Sequence, residues 1–349
     1  MQPATALPRA RRRWGRIVGR SFLGVILLLA FVLACAAVYN HWAFQHYRAV
    51  YPPPGKLYRV DGFSMHLYCT GTGAPTVILE AGLGDDSRIW GKVQPELSKL
   101  TRVCSYDRAG LGWSDPRPGP RDSESIADQL HGLLAAARIS GPIVLMGHSI
   151  AGLHMRVYVS KYRQDIGGVV FVDGATPDLI QGMRKVFAQF LRQVVWIKPL
   201  VTLGVVRLAG RCGATPPSGM EAYAGWYQAD NYCNPSYAAI YSRELEGFEP
   251  SVREVMNTST FGDLPILIFS QDPNVKLPTL SEDARAKASS LQEGLKNLSS
   301  RSRRIIAQRS THYIQIDRAD LLNLEVPVFI RQIRGDAPQP SEYGSTKAE

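Results

Sequence analysis

The 349-residue chain contains neither an H-E-x-x-H pair nor a glycine-rich phosphate loop, the short patterns that put a zinc ion or a nucleotide at a catalytic centre. No metal and no cofactor is therefore expected. It has no internal repeat, which excludes solenoids and propellers. It also lacks any helix with a basic stripe and interleaved aromatics. The formal charge is +10, but Arg9, Arg11, Arg12, Arg13, Arg16 and Arg20 sit together with no carboxylate among them. Removing those six leaves +4 on the rest of the chain, a weak field for phosphates, so nucleic acid is not an expected partner.

Residues 21–39 lack charge altogether. At about 1.5 Å per residue this run reaches roughly 29 Å, close to the hydrocarbon thickness of a bilayer. A core helix of that length would show a polar face, and this one has none. The expectation is a basic cytoplasmic segment over 1–20, a transmembrane helix over 21–39 and a linker over 40–55. The arginines precede the run, so the positive-inside rule puts the N-terminus in the cytoplasm and the rest of the chain on the far side. Trp42, Phe44 and Tyr47 suit an interfacial aromatic belt. A signal peptide cleaved near Ala34-Cys35-Ala36-Ala37 is the alternative, and it too exports the main body.

Cysteine is scarce, with five residues. Export gives them meaning, because disulfides persist in oxidising compartments. Cys35 lies in the apolar run. Cys69, Cys104, Cys212 and Cys233 allow three connectivities, among them Cys69–Cys104 with Cys212–Cys233, or they remain free thiols.

After the spacer Tyr51-Pro52-Pro53-Pro54-Gly55, short β-rich runs alternate with helical stretches, the pattern of a parallel sheet built from βαβ units. Residues 57–60 and 64–69 read as a hairpin around Asp61-Gly62. Residues 76–79, 102–106, 142–146, 168–172, 264–269 and 304–307 read as strands. A helix is expected over 123–138 with Ser123 as its N-cap, and others over 149–161, 281–298 and 321–333. The alternation stops between 176 and 262, where tryptophan and tyrosine are frequent, and this stretch reads as an inserted lid. The body thus divides into 56–175, the lid 176–262 and 263–334, and a polar tail over 335–349 reads as disordered.

Gly147-His148-Ser149-Ile150-Ala151-Gly152 follows an apolar strand and opens a helix. In that setting a G-x-S match is a nucleophile elbow, where small neighbours allow strand and helix to approach. Ala151 stands where glycine is usual, with Gly152 just behind it. A serine hydroxyl needs a base to take its proton. Of seven histidines, His312 is the candidate, because it lies in the loop after the last strand, beside the elbow. The acid that orients it is expected to be Asp272, in the loop after residues 264–269. Asp173, at the end of the preceding strand, is the alternative acid. The oxyanion donors are expected to be the backbone N–H groups of Ile150 and of Leu83, the latter in Glu80-Ala81-Gly82-Leu83-Gly84.

These residues resemble those of the α/β-hydrolase superfamily over roughly 56–334. Tyr106-Asp107-Arg108-Ala109-Gly110-Leu111-Gly112-Trp113-Ser114 is similar to the loop after the fourth strand in lid-bearing members, where Asp107 and Arg108 are expected to form a structural ion pair. The resemblance implies a mostly parallel eight-stranded sheet with helices on both faces and a helical lid. It also sets the second strand beside the fourth, which implies a Cys69–Cys104 bridge. The usual His-Gly pair of the oxyanion loop is replaced by Glu80-Ala81-Gly82, which leaves open which side chains line the pocket near Glu80. Related dehalogenases and epoxide hydrolases carry aspartate at the elbow, so Ser149 speaks against their chemistry.

The expected activity is hydrolysis of an ester, thioester or amide with a hydrophobic acyl group, through a carboxylesterase- or lipase-like triad at a membrane. The alternatives are an acyltransferase using the same triad and a catalytically silent binding protein tethered to the membrane.

Overall fold

The computed structural model describes residues 9–276 and 281–336. Residues 1–8 of the basic segment and 337–349 of the expected tail lie outside the described residues.

Among the described residues the strands are β1 (Lys56–Val60), β2 (Phe63–Thr70), β3 (Thr76–Glu80), β4 (Val103–Tyr106), β5 (Ile143–His148), β6 (Ile166–Val172), β7 (Ile266–Gln271) and β8 (Ser302–Ala307). They form one sheet in the order β1-β2-β4-β3-β5-β6-β7-β8. Pairing is antiparallel for β1–β2 and β2–β4 and parallel from β4 to β8. The helices are α1 (Arg9–Val50), α2 (Gln94–Leu97), α3 (Ser123–Ala136), α4 (Ala151–Lys161), α5 (Pro177–Gly182), α6 (Arg184–Thr202), α7 (Val205–Leu208), α8 (Ala224–Ala229), α9 (Tyr237–Glu246), α10 (Phe248–Met256), α11 (Glu282–Glu293), α12 (Ile314–Asp317) and α13 (Ala319–Arg334). This is the α/β-hydrolase fold.

The central strands are apolar throughout because both sheet faces are covered. Alternation along β5 divides its side chains between two cores: Ile143 and Leu145 join the layer containing Leu130, Leu133 and Leu153, whereas Val144 and Met146 join the layer containing Leu322, Val326 and Ile330. Helices α5 to α10 all fall between β6 and β7. Cys69 and Cys104 face each other across β2 and β4 and are bonded. Cys212 and Cys233 form the second bridge.

Three local expectations change. Residues 40–50, expected as linker, continue α1 without a break. They contain no glycine or proline, and the helix stops only before Pro52-Pro53-Pro54, which withdraw the backbone donors and push the preceding residue out of the α region. The N-cap of α3 is Asp122, whose carboxylate accepts from the Ser125 N–H at 2.9 Å, rather than Ser123. Asp107 and Arg108 are not partners. Asp107 pairs with His66 at 2.7 Å, whereas Arg108 pairs with Glu244 at 2.7 Å. Adjacent side chains at a strand end point in opposite directions, so each finds its own partner.

Candidate active site

The elbow is built by packing. Ser149 has φ +57°, a left-handed conformation uncommon outside glycine. It is held there because its N–H donates to the Val172 carbonyl at 3.2 Å and its carbonyl accepts from the Ala175 N–H at 2.7 Å and the Gly152 N–H at 2.9 Å. A Cβ on Gly147 would lie 2.7 Å from the Ala151 Cβ, and one on Gly152 would lie 2.8 Å from the Ala175 nitrogen. The small residues around Ser149 are therefore a steric requirement, and they project its hydroxyl at the carboxyl edge of the sheet, ahead of α4.

The loop after β8 brings His312 to this edge. Its Nε2 lies 2.9 Å from the Ser149 Oγ, and its Nδ1 lies 2.5 Å from the Asp173 Oδ2. A carboxylate can only accept, so Nδ1 carries the proton and Nε2 is left free to accept from the serine hydroxyl. Burial alone would lower the His312 pKa, but the hydrogen bond and charge of Asp173 outweigh it and raise the value. The second Asp173 oxygen accepts from the Gln271 N–H at 3.0 Å, which fixes the carboxylate between β6 and β7.

Asp272, expected as the acid, is not the partner of His312. Its two oxygens accept from the Asn274 N–H at 2.9 Å and the Arg309 N–H at 2.8 Å. It thereby ties its own turn to the loop that carries His312, and those N–H groups hold its pKa below the usual carboxylate range although burial opposes them. The alternative, Asp173, makes the contact instead, because β6 lies next to β5 in the sheet whereas β7 is one strand further out.

Leu83 lies in the loop after β3 and Ile150 directly follows Ser149. Among the described residues neither N–H is paired with a protein acceptor. The loop is held from below. The Arg108 guanidinium donates to the Ala81 carbonyl at 2.5 Å and the Gly82 carbonyl at 2.6 Å. Glu244, from α9, accepts from the Gly84 N–H at 2.8 Å and from Arg108 and Arg121. Arg108, Arg121 and Glu244 are all buried. Burial would raise the Glu244 pKa, but the two guanidiniums drive it strongly downward. Glu80 is buried against His154 at 2.6 Å and faces away from the cavity.

Two further residues escaped the sequence reading. The His148 ring lies 4.5 Å from the His312 ring at a tilt of 46°, and its Nε2 donates to the His312 carbonyl at 3.0 Å. Burial and the neighbouring His312 both lower its pKa, so it stays neutral and keeps that donor. Asp85 lines the cavity opposite His312. Burial, with the charge of Asp86, raises its pKa to about 7 against the pull of Arg108 and His312. The only local signal for either was its neighbour: His148 adjoins Ser149, and Asp85 follows the oxyanion loop.

Ser149 and His312 open into a cavity of about 310 Å³ whose far wall is apolar, including Leu179, Ile180, Met183 and Phe187 from the insertion. Among the described residues no group of three or more His, Cys, Asp or Glu is placed to hold a metal. The geometry sets a serine hydroxyl against an imidazole held by a carboxylate, with two N–H groups unpaired among the described residues beside an apolar cleft, an arrangement that can support acyl transfer.

A profile of the α/β-hydrolase fold family matches residues 75–201, from β3 into α6. An AB hydrolase superfamily protein of Gibberella zeae is 24% identical over 286 residues, covering 74% of this chain and 87% of that one. An uncharacterised protein of Schizosaccharomyces pombe is 31% identical over 188 residues, 45% of this chain, but only 35% of its own length is matched. Several relatives are thus matched over half their length or less. Among solved structures, a thermophilic esterase from Thermogutta terrifontis superposes with a TM-score of 0.56 at 19% identity, covering 80% of this chain and 98% of its own. A loop variant of the haloalkane dehalogenase DbeA from Bradyrhizobium elkanii gives 0.60 at 18%, covering 80% and 97%. At these identities the likeness is one of fold.

Proposed function

We propose that the protein is a serine hydrolase that cleaves an ester, thioester or amide of a hydrophobic acyl substrate, with Ser149 as nucleophile, His312 as base and Asp173 as the orienting acid. The observation that carries this reading is the unbroken chain from Ser149 Oγ through His312 to Asp173. His312 Nε2 takes the Ser149 proton as Oγ bonds to the acyl carbon, and the carbonyl oxygen becomes an anion held by the Leu83 and Ile150 N–H groups. The bond to the leaving group then breaks as His312 returns the proton to it. A water, deprotonated by His312, attacks the acyl-enzyme, and the Ser149 Oγ leaves with that proton. Preference for hydrophobic acyl groups follows from the apolar wall of the cavity.

The chain is also proposed to be membrane-anchored through α1, with its N-terminus cytoplasmic and its catalytic domain on the far side. Residues 16–50 form a helix long and apolar enough to cross a bilayer, and its most apolar window is only 6% buried by the rest of the protein. The arginines precede that window, as the positive-inside rule requires for this orientation.

Covalent labelling with a fluorophosphonate, followed by peptide mapping, tests the chemistry. The label is expected on Ser149 and is expected to disappear in Ser149→Ala and His312→Ala. Folded wild-type protein that takes no label would defeat the hydrolase reading.

A further inference from the structure

Helix α6 has two apolar faces. One, with Phe187 and Leu191, packs on the core. The other is bare: Trp196 is 77% exposed and Val195 61%, with Phe190, Leu200, Leu203 and Leu208 exposed along the same α6–α7 hairpin. Between Asp178 and Glu221 the chain has no acidic residue and carries six cations, of which Arg184, Lys185, Arg192 and Lys198 are exposed on α6, the first of them paired with Glu249 of α10 at 2.6 Å. An exposed apolar face on a helix whose own charges are all positive is the composition of a helix that lies in a lipid interface.

The position of this hairpin is set by the anchor. Asn40 is buried just past the charge-free run of α1 and donates to the Val201 carbonyl at 3.0 Å and the Cys233 carbonyl at 3.1 Å. Arg207 Nε donates to the Asn40 Oδ1 at 2.7 Å. Gly204 approaches the backbone so closely that a Cβ there would lie 2.2 Å from the Ala36 carbonyl oxygen. The C-terminal end of α6 and all of α7 are therefore clamped to α1 at the level where its apolar run ends and Trp42 begins the aromatic belt.

The inner side of the same hairpin lines a second cavity of about 420 Å³ through Val194, Ile197, Val201 and Val206. Leu83, Asp85, Tyr241 and Tyr313 line both this cavity and the one that holds Ser149. The two cavities thus adjoin, one end under the hairpin and the other at the nucleophile.

We propose that α6 and α7 form a second membrane contact, bedded in the headgroup region of an anionic bilayer beside the anchor, and that a lipid-borne acyl substrate reaches Ser149 along their inner side. This rests on the reading of α1 as a membrane anchor and of Ser149 as a nucleophile. It commits the substrate to an amphiphile whose acyl chain occupies the second cavity and whose reacting carbonyl sits at Ser149.

The test uses the full chain in vesicles of one part phosphatidylglycerol to two parts phosphatidylcholine, with the Trp196 signal taken as the difference between wild type and Trp196→Phe. Flotation reports the anchor separately. With floating protein, the Trp196 emission is expected to be quenched when the lipids carry brominated acyl chains and to resist aqueous iodide. Floating protein whose Trp196 is quenched by iodide and not by bromolipid overturns the lid contact while leaving the anchor intact. Protein that stays in the aqueous fraction overturns the anchor reading and this proposal with it. For access, the double variant Trp196→Glu, Leu200→Glu is expected to lose roughly tenfold on a vesicle-borne long-chain ester while hydrolysing p-nitrophenyl acetate as wild type does. A loss shared by both substrates, or by neither, overturns the access route. Wild type inactive on p-nitrophenyl acetate overturns the hydrolase reading instead.

Discussion

Asp173 Oδ2 lies 2.5 Å from His312 Nδ1 although the two residues are 139 positions apart. Asp173, like Ser149, adopts a positive φ, here +46°, and its N–H donates to the Phe269 carbonyl at 2.8 Å. The strained turn at the end of β6 aims the carboxylate at the imidazole beside Ser149. Strain of this kind persists where surrounding structure over-determines it, and here the end of β7 does so through the Phe269 carbonyl and the Gln271 N–H.

The two candidate acids separate by substitution. Asp173→Asn leaves His312 without the acceptor that fixes its tautomer and is expected to lower kcat/KM for p-nitrophenyl butyrate by roughly 10³–10⁴-fold. Asp272→Asn keeps an oxygen for one of the two N–H groups and is expected to cost less than about tenfold, through looser positioning of the His312 loop. Reversal of that order would restore Asp272 as the acid.

The pH profile carries a sign. His312 must be neutral to accept the serine proton, so the acidic limb of kcat/KM reports its pKa in the free enzyme. Asp173 raises that pKa, and Asp85 raises it further by its charge. Activity is therefore expected to fall as pH drops through a His312 pKa above the ordinary histidine value. In Asp85→Asn the limb is expected to move to lower pH, and a shift to higher pH would remove Asp85 from the account.

Glu244 links the insertion to the loop after β3, where Leu83 is the proposed oxyanion donor. Glu244→Gln leaves the buried Arg121 without its carboxylate partner and Arg108 with only Glu80 at 4.0 Å, which is expected to destabilise the fold by about 3–5 kcal/mol in denaturant unfolding. The Gly84 N–H keeps a side-chain oxygen within reach in this variant. Residual activity is therefore expected to fall in kcat more than to rise in KM, because the loop's donors act chiefly on the transition state.

The Cys69–Cys104 bridge closes a separation of 35 residues between β2 and β4. Replacing both cysteines with alanine is expected to cost roughly 3–4 kcal/mol, read as a lowered midpoint of unfolding with labelling of Ser149 retained under native conditions. The bridge joins β2 to β4, away from the elbow, so loss of labelling in a folded variant would contradict this separation of roles.

Much of this protein is local and was legible in the sequence. The apolar strand before Ser149, the glycines around it and the loop position of His312 follow from periodicity and steric demand, which act over a few residues. The charge-free run in α1 is likewise a one-dimensional property. The linker expected after it is helix instead, because Trp42, Phe44 and Tyr47 suit an interfacial belt and a helix equally well. Only Pro52-Pro53-Pro54 carried an unambiguous stop.

What the chain by itself determined was therefore the set of elements and the chemistry available at each strand end. Which acid meets His312 was decided by the tertiary structure, since Asp173 and Asp272 both follow strands and both reach the same sheet edge. The choice depends on angstrom-scale placement: Asp272 is consumed by two backbone donors in its own loops, whereas Asp173 has one oxygen left over. The partners of Arg108 and the clamp of Asn40 on Val201 belong to the same category. Pairings between residues 136 and 161 positions apart are set by how whole layers pack, and no local pattern encodes them.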